Sequence, residues 1–371
     1  MKTETHTLHS DTPGLQHQLT VLSFGTPGAR PKATIQAALH ADETPALLVA
    51  QALRQQLASA EAAGQITGEV VLIPVANPIG LAQRVLGRQE GRFDLRDGVN
   101  FNRGYADLGS AAAAAVQGQL GADPAGNVAL IRRALRAAAQ GLPAVTQAEQ
   151  LKRLLLATAI NSDVVLDLHC DSQAVVHLYA LSAHEQQACE LGALLGARAV
   201  LLASDSGDAP FDEACSRPWL YLQQTFSEHP IPAACFAPTL ELRGECDTNL
   251  AQADADAQAI VEYLRRSGIV TGVPAALPAA ACRPTPLAGS EPIVAPHAGV
   301  LVFQAEPGQL LEAGDTVATL VDLERGIHTA LTTRSQGVLY ARIATRWAVA
   351  GQRVAKVAGQ TLLRTGKLLS S

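Results

Sequence analysis

The sequence has no block of Lys or Arg, no C-x-x-C pair among its six cysteines, and no apolar run of membrane-spanning length free of Gly, Pro and charge. Each absence closes a class of function. Without a basic stretch there is no electrostatic footprint for nucleic acid. Six scattered cysteines in 371 residues argue against both a disulfide scaffold and a zinc-finger framework. No membrane span is expected. The stretch MKTETHTLHSDTPG is polar and lacks the apolar core of a secretory signal, so a cytoplasmic protein is expected. Lysine is scarce, and none lies between Lys152 and Lys356.

Hydrophobic residues, by contrast, make up 48% of the chain and charged residues only 17%, so a sizeable interior can be buried. The length suits one large domain plus one small one. Short apolar runs read as strands: Thr20–Phe24, Ala33–Leu39, Glu69–Val75, Asp163–His169, Ala174–Leu181, Arg198–Ala203 and Ala234–Leu242. Several are apolar almost throughout, as strands covered on both faces are. Between them, 45–63, 127–141, 147–161, 185–196 and 249–268 have helical spacing, with Pro at the first start and Gly at several stops. Alternation of this kind predicts an α/β fold, a mostly parallel or mixed sheet flanked by helices.

After Gly268 the texture changes. Residues 271–290 are rich in Pro, Ala and Gly and read as a linker between a domain at 1–270 and a small β domain at 291–371. The last part alternates short β runs with Gly turns and predicts an all-β barrel or sandwich. It resembles a biotinyl/lipoyl carrier, but no Lys stands at the expected hairpin tip near Asp322–Ile327 to bear a swinging arm. The small domain is expected to rim the cleft or to mediate contacts in a homo-oligomer.

Polar groups stand at the ends of apolar strands. His40 and Glu43 follow Ala33–Leu39, His169 ends Asp163–His169, and Glu241 lies near the end of Ala234–Leu242. In α/β sheets, ligands bind outside the carboxyl ends of strands. Two His and one carboxylate, with a position open for water, is a common zinc set in hydrolases, and His40, Glu43 and His169 supply it. Glu241 would then accept the water proton and pass it to the leaving amine. Asp167, two residues before His169 and on the same strand face, could fix the ring of a ligating His, with His40 the expected partner. In the Gly-bounded stretch GRFDLRDGVNFNRGY, Asn102 and Arg103 can clamp a carboxylate, whereas Arg88 and Arg96 read as solvated. Cys170 faces away from His169 and reads as structural. The run 204–219, with Asp205, Asp208, Asp212 and Glu213, reads as an acidic loop: either solvated, or suited to a substrate ammonium or guanidinium.

Taken in order, His40-x-x-Glu43, ANPIG (Ala76–Gly80), DGVNFNR, DLH and TLELRGE resemble the succinylglutamate desuccinylase/aspartoacylase family, part of the zinc carboxypeptidase superfamily. The resemblance spans about Ile35 to Glu245, and Ala41 and Phe101 stand where that family usually has Gly and Leu. It implies a zinc carboxypeptidase-like catalytic domain. It also implies one Zn2+ per chain held by His40, Glu43 and His169, and Glu241 as general base, with Glu245 second choice. Substrate contacts would come from Arg92, Asn102 and Arg103. The implied activity is hydrolysis of a small N-acyl amino acid. Two readings stand beside it: a metallocarboxypeptidase or dipeptidase releasing a C-terminal, basic or isopeptide-linked amino acid, and a metal-binding module without turnover. The partner in the enzymatic readings is a small molecule, neither nucleic acid nor membrane.

Overall fold

The computed structural model describes residues 1–366 and 368; positions 367 and 369–371 of the expected small β domain lie outside the described residues. The large sheet has nine strands, numbered in chain order: β1 Lys2–His9, β2 Gln16–Gly25, β3 Lys32–Ala37, β4 Glu69–Ile73, β5 Val164–Asp171, β6 His177–Leu181, β7 Ala199–Ala203, β8 Thr239–Gly244 and β9 Pro284–Pro286. They lie in the order β1-β2-β4-β3-β5-β8-β6-β7-β9. The centre, β4-β3-β5-β8, is parallel. Antiparallel pairs β1/β2, β2/β4 and β6/β8 make the sheet mixed.

Both faces are covered, which is why β3, β4 and β6 are buried at every residue. Successive side chains of a strand point to opposite faces. Leu166, Leu168 and Cys170 of β5 therefore join one core, with Leu53 of helix Thr44–Ala62 and Ile260 of helix Leu250–Arg266. Val165 joins the other, with Leu155, Phe211 and Trp219. Asp167 and His169 share Val165's parity.

Three segments differ from the sequence reading. Lys2–His9 is an edge strand, bonded along Gln16–Gly25. Thr3, Thr5, Thr7 and His9 alternate with the more buried Glu4, His6 and Leu8, a half-buried pattern that polarity alone hides. The acidic run is a loop only to Pro210; Phe211–Thr225 is a helix despite Pro218 inside it, and Asp212 and Glu213 stand in its first turn, where the helix dipole favours acids. Within the Pro/Ala/Gly-rich stretch, Pro284–Pro286 adds the last strand of the sheet, at an edge, where Pro is tolerated.

The C-terminal part is two antiparallel sheets. One contains Ser290–Val294, Arg353–Gly359, Gly337–Arg342 and Leu310–Leu311; the other contains Ile327–Thr332, Thr316–Asp322, Gly299–Phe303 and Trp347–Ala348. Leu301, Val317, Leu320, Leu339 and Val357 fill the space between. The first sheet is extended by Gln173–Ala174, which pairs with Arg342 and Ala341. Lys356 reaches across to Asp171 at 2.6 Å.

One turn fixes where His40 emerges from the sheet. Beyond β3, Ala38 takes a left-handed backbone (φ 59°) that turns the chain into Leu39 and His40. Asn77 secures the turn from beside it: its Nδ2 donates to Leu39 O at 2.9 Å, and its Oδ1 accepts from Gly80 N at 2.9 Å. Gly91 O accepts from Ala41 N at 3.1 Å, an approach so close that a Cβ on Gly91 would overlap the Ala41–Asp42 backbone. Replacing the fully buried Asn77 by Ala leaves two backbone groups unpaired. Asn77→Ala is expected to lower stability by about 2–4 kcal/mol, read from urea unfolding curves.

Candidate metal centre and cavity

His40 leaves the turn after β3, and Glu43 caps the N-terminus of helix Thr44–Ala62 three residues later. The Glu43 side chain makes no capping bond to its own helix. It points to His40 and to the end of β5. Glu43 Oε1 lies 2.9 Å from His40 Nδ1, and Oε2 lies 2.8 Å from His169 Nδ1 and accepts from Cys170 N at 2.8 Å. All three side chains are buried, and one ligating atom from each lies within 4.8 Å of the others, so the group could hold a metal ion.

The second ring nitrogens have their own partners. His40 Nε2 lies 2.9 Å from Asn100 Oδ1, and His169 Nε2 lies 3.0 Å from Asp167 Oδ2. Arg92 Nη1 stands 3.1 Å from His40 Nδ1. A guanidinium only donates, so Nδ1 carries a lone pair and Nε2 carries the proton given to Asn100. Burial, then the Arg92 charge, pushes His40 down to about 4, which keeps it neutral near pH 7. Its lone pair and the Glu43 oxygens thus face each other across a short gap, an arrangement that a cation fits.

Burial opposes charge on His169, but Asp167 and Glu43 outweigh it and raise its pKa well above the usual value. A cation at Glu43 would take the place of the Nδ1 proton and leave Nε2–H on Asp167. Burial likewise opposes charge on Glu43, and His169 and His40 hold its carboxyl well below the usual range. The expected Asp167–His40 contact is therefore corrected. Asp167 supports His169 on its own strand, its other oxygen accepts from Gln36 at 2.9 Å, and Asn100 serves His40. Asn100 was missed; its signal was the first Asn of DGVNFNR, two residues before Asn102, whose backbone N–H it also accepts at 2.8 Å.

A cavity of about 880 Å³ opens over the cluster. It is lined by His40 and His169, by Arg92, Asn102, Arg103 and Glu241, and on the far side by Gln352, Arg353 and Lys356 of the C-terminal sheets. Glu241 stands beside His169 in the β5/β8 register, and its Oε2 has no partner among the described residues. Burial, then the Glu43 and Asp171 charges, raises its pKa to about 8 in the absence of a cation. Glu245 is exposed just past the end of β8 and does not line the cavity. Arg88 is exposed, and Arg96 pairs with Asp11 at 3.1 Å away from the site.

The 91–105 loop is pinned by Lys152, which donates to Arg103 O at 2.7 Å. Asn102 Oδ1 accepts from Phe211 N at 2.9 Å, which leaves Nδ2, 3.3 Å from His169 Nε2, as its donor end. Arg92 also reaches Glu43 Oε1 at 3.3 Å.

A sequence profile described as the succinylglutamate desuccinylase/aspartoacylase catalytic domain matches residues 29–266, so the chain belongs to the succinylglutamate desuccinylase/aspartoacylase family, a family of hydrolases. Among solved structures, it is similar to a Shewanella amazonensis SB2B protein assigned to that family, at TM-score 0.85 and 27% identity over 96% of this chain and 98% of the other. A Shewanella frigidimarina NCIMB 400 protein of the same assignment gives 0.84 and 24% over 96% and 97%. The product-bound ectoine utilization protein EutE (DoeB) of Ruegeria pomeroyi gives 0.65 and 18% over 96% and 95%, a likeness of fold. No curated protein matched. No helix among the described residues is long and apolar enough to cross a membrane.

Outer partners of a ligating His orient its ring, and losing one typically weakens metal affinity about 10–100-fold. Asn100→Ala and Asp167→Asn are each expected to weaken divalent-metal binding by that amount in competition with a chromogenic chelator.

Proposed function

We propose that the protein is a zinc-dependent amidohydrolase that removes the acyl group from a small N-acyl amino acid. The observation that carries this reading is the convergence of His40 Nδ1, Glu43 and His169 Nδ1 at the floor of a cavity that also holds Glu241. Two imidazoles and a carboxylate suit zinc, and the two rings already have partners on their far nitrogens. When bound there, zinc would supply a Lewis acid that makes water a competent nucleophile and polarises the amide carbonyl.

The chain's own residues do the rest. Arg103 and the amide of Asn102 take the carboxylate of the amino acid and fix the scissile bond over the cluster; Arg92 supplies a second cation on the same side. Glu241 accepts the proton of the attacking water and delivers it to the departing amine nitrogen. Its unpartnered oxygen and its burial suit a group that must change protonation state during each turnover. The same residues would serve release of a C-terminal amino acid from a dipeptide, since in either case the amine that leaves belongs to the amino acid held by Arg103.

The test is a hydrolysis screen of the zinc-loaded protein across acetyl-, succinyl- and aspartyl-linked amino acids and free dipeptides. Glu241→Gln is expected to keep its metal, measured by elemental analysis, and to lose about 1,000-fold or more in kcat, within reach of a lost general base. An undiminished rate in that variant would remove Glu241 from this role.

A further inference from the structure

Four acids cluster between Asp205 and Glu213, and Asp212 alone of them is both buried and on the wall beside Thr239. Asp205 pairs with Arg217 at 3.0 Å. Glu213 accepts from Ser206 N at 2.7 Å and lies 3.5 Å from Arg217. Asp208 takes a left-handed backbone, φ 62°, and its carbonyl receives the Gly104 N–H at 2.9 Å, which ties this lip to the loop bearing Asn102 and Arg103. Asp212 is only 7% exposed and lines the cavity. Its carboxyl is hydrogen-bonded by the Thr239 side chain and the Glu213 backbone, and its Oδ1 has no hydrogen-bond partner among the described residues. Its position is fixed by its neighbour, because Phe211 N donates to Asn102 Oδ1. Asp212 therefore stands on the Asn102/Arg103 side of the cavity, where Thr239 also lines the wall.

We infer that Asp212 determines side-chain specificity and takes a cationic group, an ammonium or guanidinium, on the amino acid whose carboxylate Arg103 receives. The inference rests on the proposed hydrolase reading for the placement of that carboxylate. A carboxylate buried to this degree is costly to ionise without a counter-charge, and a cationic ligand group beside it in the cavity offsets that cost. Burial, then the Glu213 and Asp167 charges, raises Asp212 to about 7, so a bound cation would also favour its ionised form. Two further cavity cations pair with acids, Arg92 with Glu43 and Lys356 with Asp171. Arg103 lies within the field of Asp212, Asp208 and Glu241. An amino acid with a positive side chain would thus meet opposite charges at both ends, whereas an acidic one would set its side chain against Asp212.

The test is calorimetric binding of L-lysine, L-arginine, L-norleucine and L-glutamate to the zinc-loaded full chain. Lysine or arginine is expected to bind at least about 30-fold more tightly than norleucine, in line with sites built to hydrogen-bond one polar group. Asp212→Asn should bring that ratio to within about threefold, and Asp212→Glu, which keeps the charge, should retain most of it. Zinc content and thermal unfolding of each variant report folding; if neither variant folds, the four-ligand ranking of the native chain decides. Equal affinities, tightest binding of glutamate, no binding at all, or an unchanged ratio in Asp212→Asn would overturn the inference. Hydrolysis of N-acyl norleucine with no lysine preference sinks it and leaves the hydrolase reading standing. Lysine binding that depends on Asp212, with no amide hydrolysed, sinks the hydrolase reading alone.

Discussion

A single buried carboxylate organises this molecule's chemistry. Glu43 contacts His40 with one oxygen and His169 with the other, though the two histidines are 129 positions apart in sequence. In an interior of low polarity such a group is tolerated only when fully partnered, and removing one member of a buried charged set typically costs about 3–5 kcal/mol. Every element that delivers these side chains is therefore under constraint: the left-handed turn at Ala38, the Asn77 brace, the close approach of Gly91 and the end of β5.

The mixed sheet explains why distant segments meet at one edge. Strands β3, β5 and β8 are parallel neighbours, so their carboxyl ends lie side by side, and the register sets Ala37 against Leu168 and Glu241 against His169. Strand β6 runs the other way beside β8, with His177 opposite Glu241, so its beginning lies at the same edge. The link into β6 carries Gln173–Ala174, which joins the C-terminal sheet. One reversal of strand direction thus brings the second body of the protein to the cavity, where Arg353 and Lys356 complete the wall. That body has no arm-bearing lysine at its hairpin tip between Asp322 and Ile327.

The parts legible in the sequence were those written in local periodicity. Most buried strands and the helices at 45–63, 127–141 and 249–268 lie close to their expected bounds because apolar spacing encodes them directly, whereas Ala234–Leu242 becomes a strand only from Thr239 and Ala174–Leu181 only from His177. His40, Glu43 and His169 were legible because a charged or imidazole group ending an apolar run is locally anomalous. What stayed hidden depends on contacts across space. The pairing of β1 with β2 turns a polar stretch into a strand, and packing of Phe211 and Trp219 turns an apparent loop into a helix. Asp167 was assigned to the wrong ring because face parity says which way a side chain points, not which of two histidines comes within 3.0 Å. Asn100 gains its role only through the fold, which sets its oxygen 2.9 Å from His40 Nε2.

Two residues that line this cavity, Glu241 and Asp212, each have one buried carboxyl oxygen without a hydrogen-bond partner among the described residues. Folded proteins leave few such groups, and each typically costs about 1–3 kcal/mol. Other buried polar atoms share that state, Asp42 Oδ1 and Tyr105 Oη among them, so what is particular to these two residues is their place on the cavity wall. One stands beside His169 and the other on the side of Asn102 and Arg103. Elsewhere the fold readily pairs its buried acids, as Asp167 with His169 and Gln36, Asp256 with Arg243, and Glu291 with Thr333, Arg334 and Ser335. The unpaired oxygens of Glu241 and Asp212 therefore mark positions on the cavity wall where the fold carries a cost that its own packing does not remove.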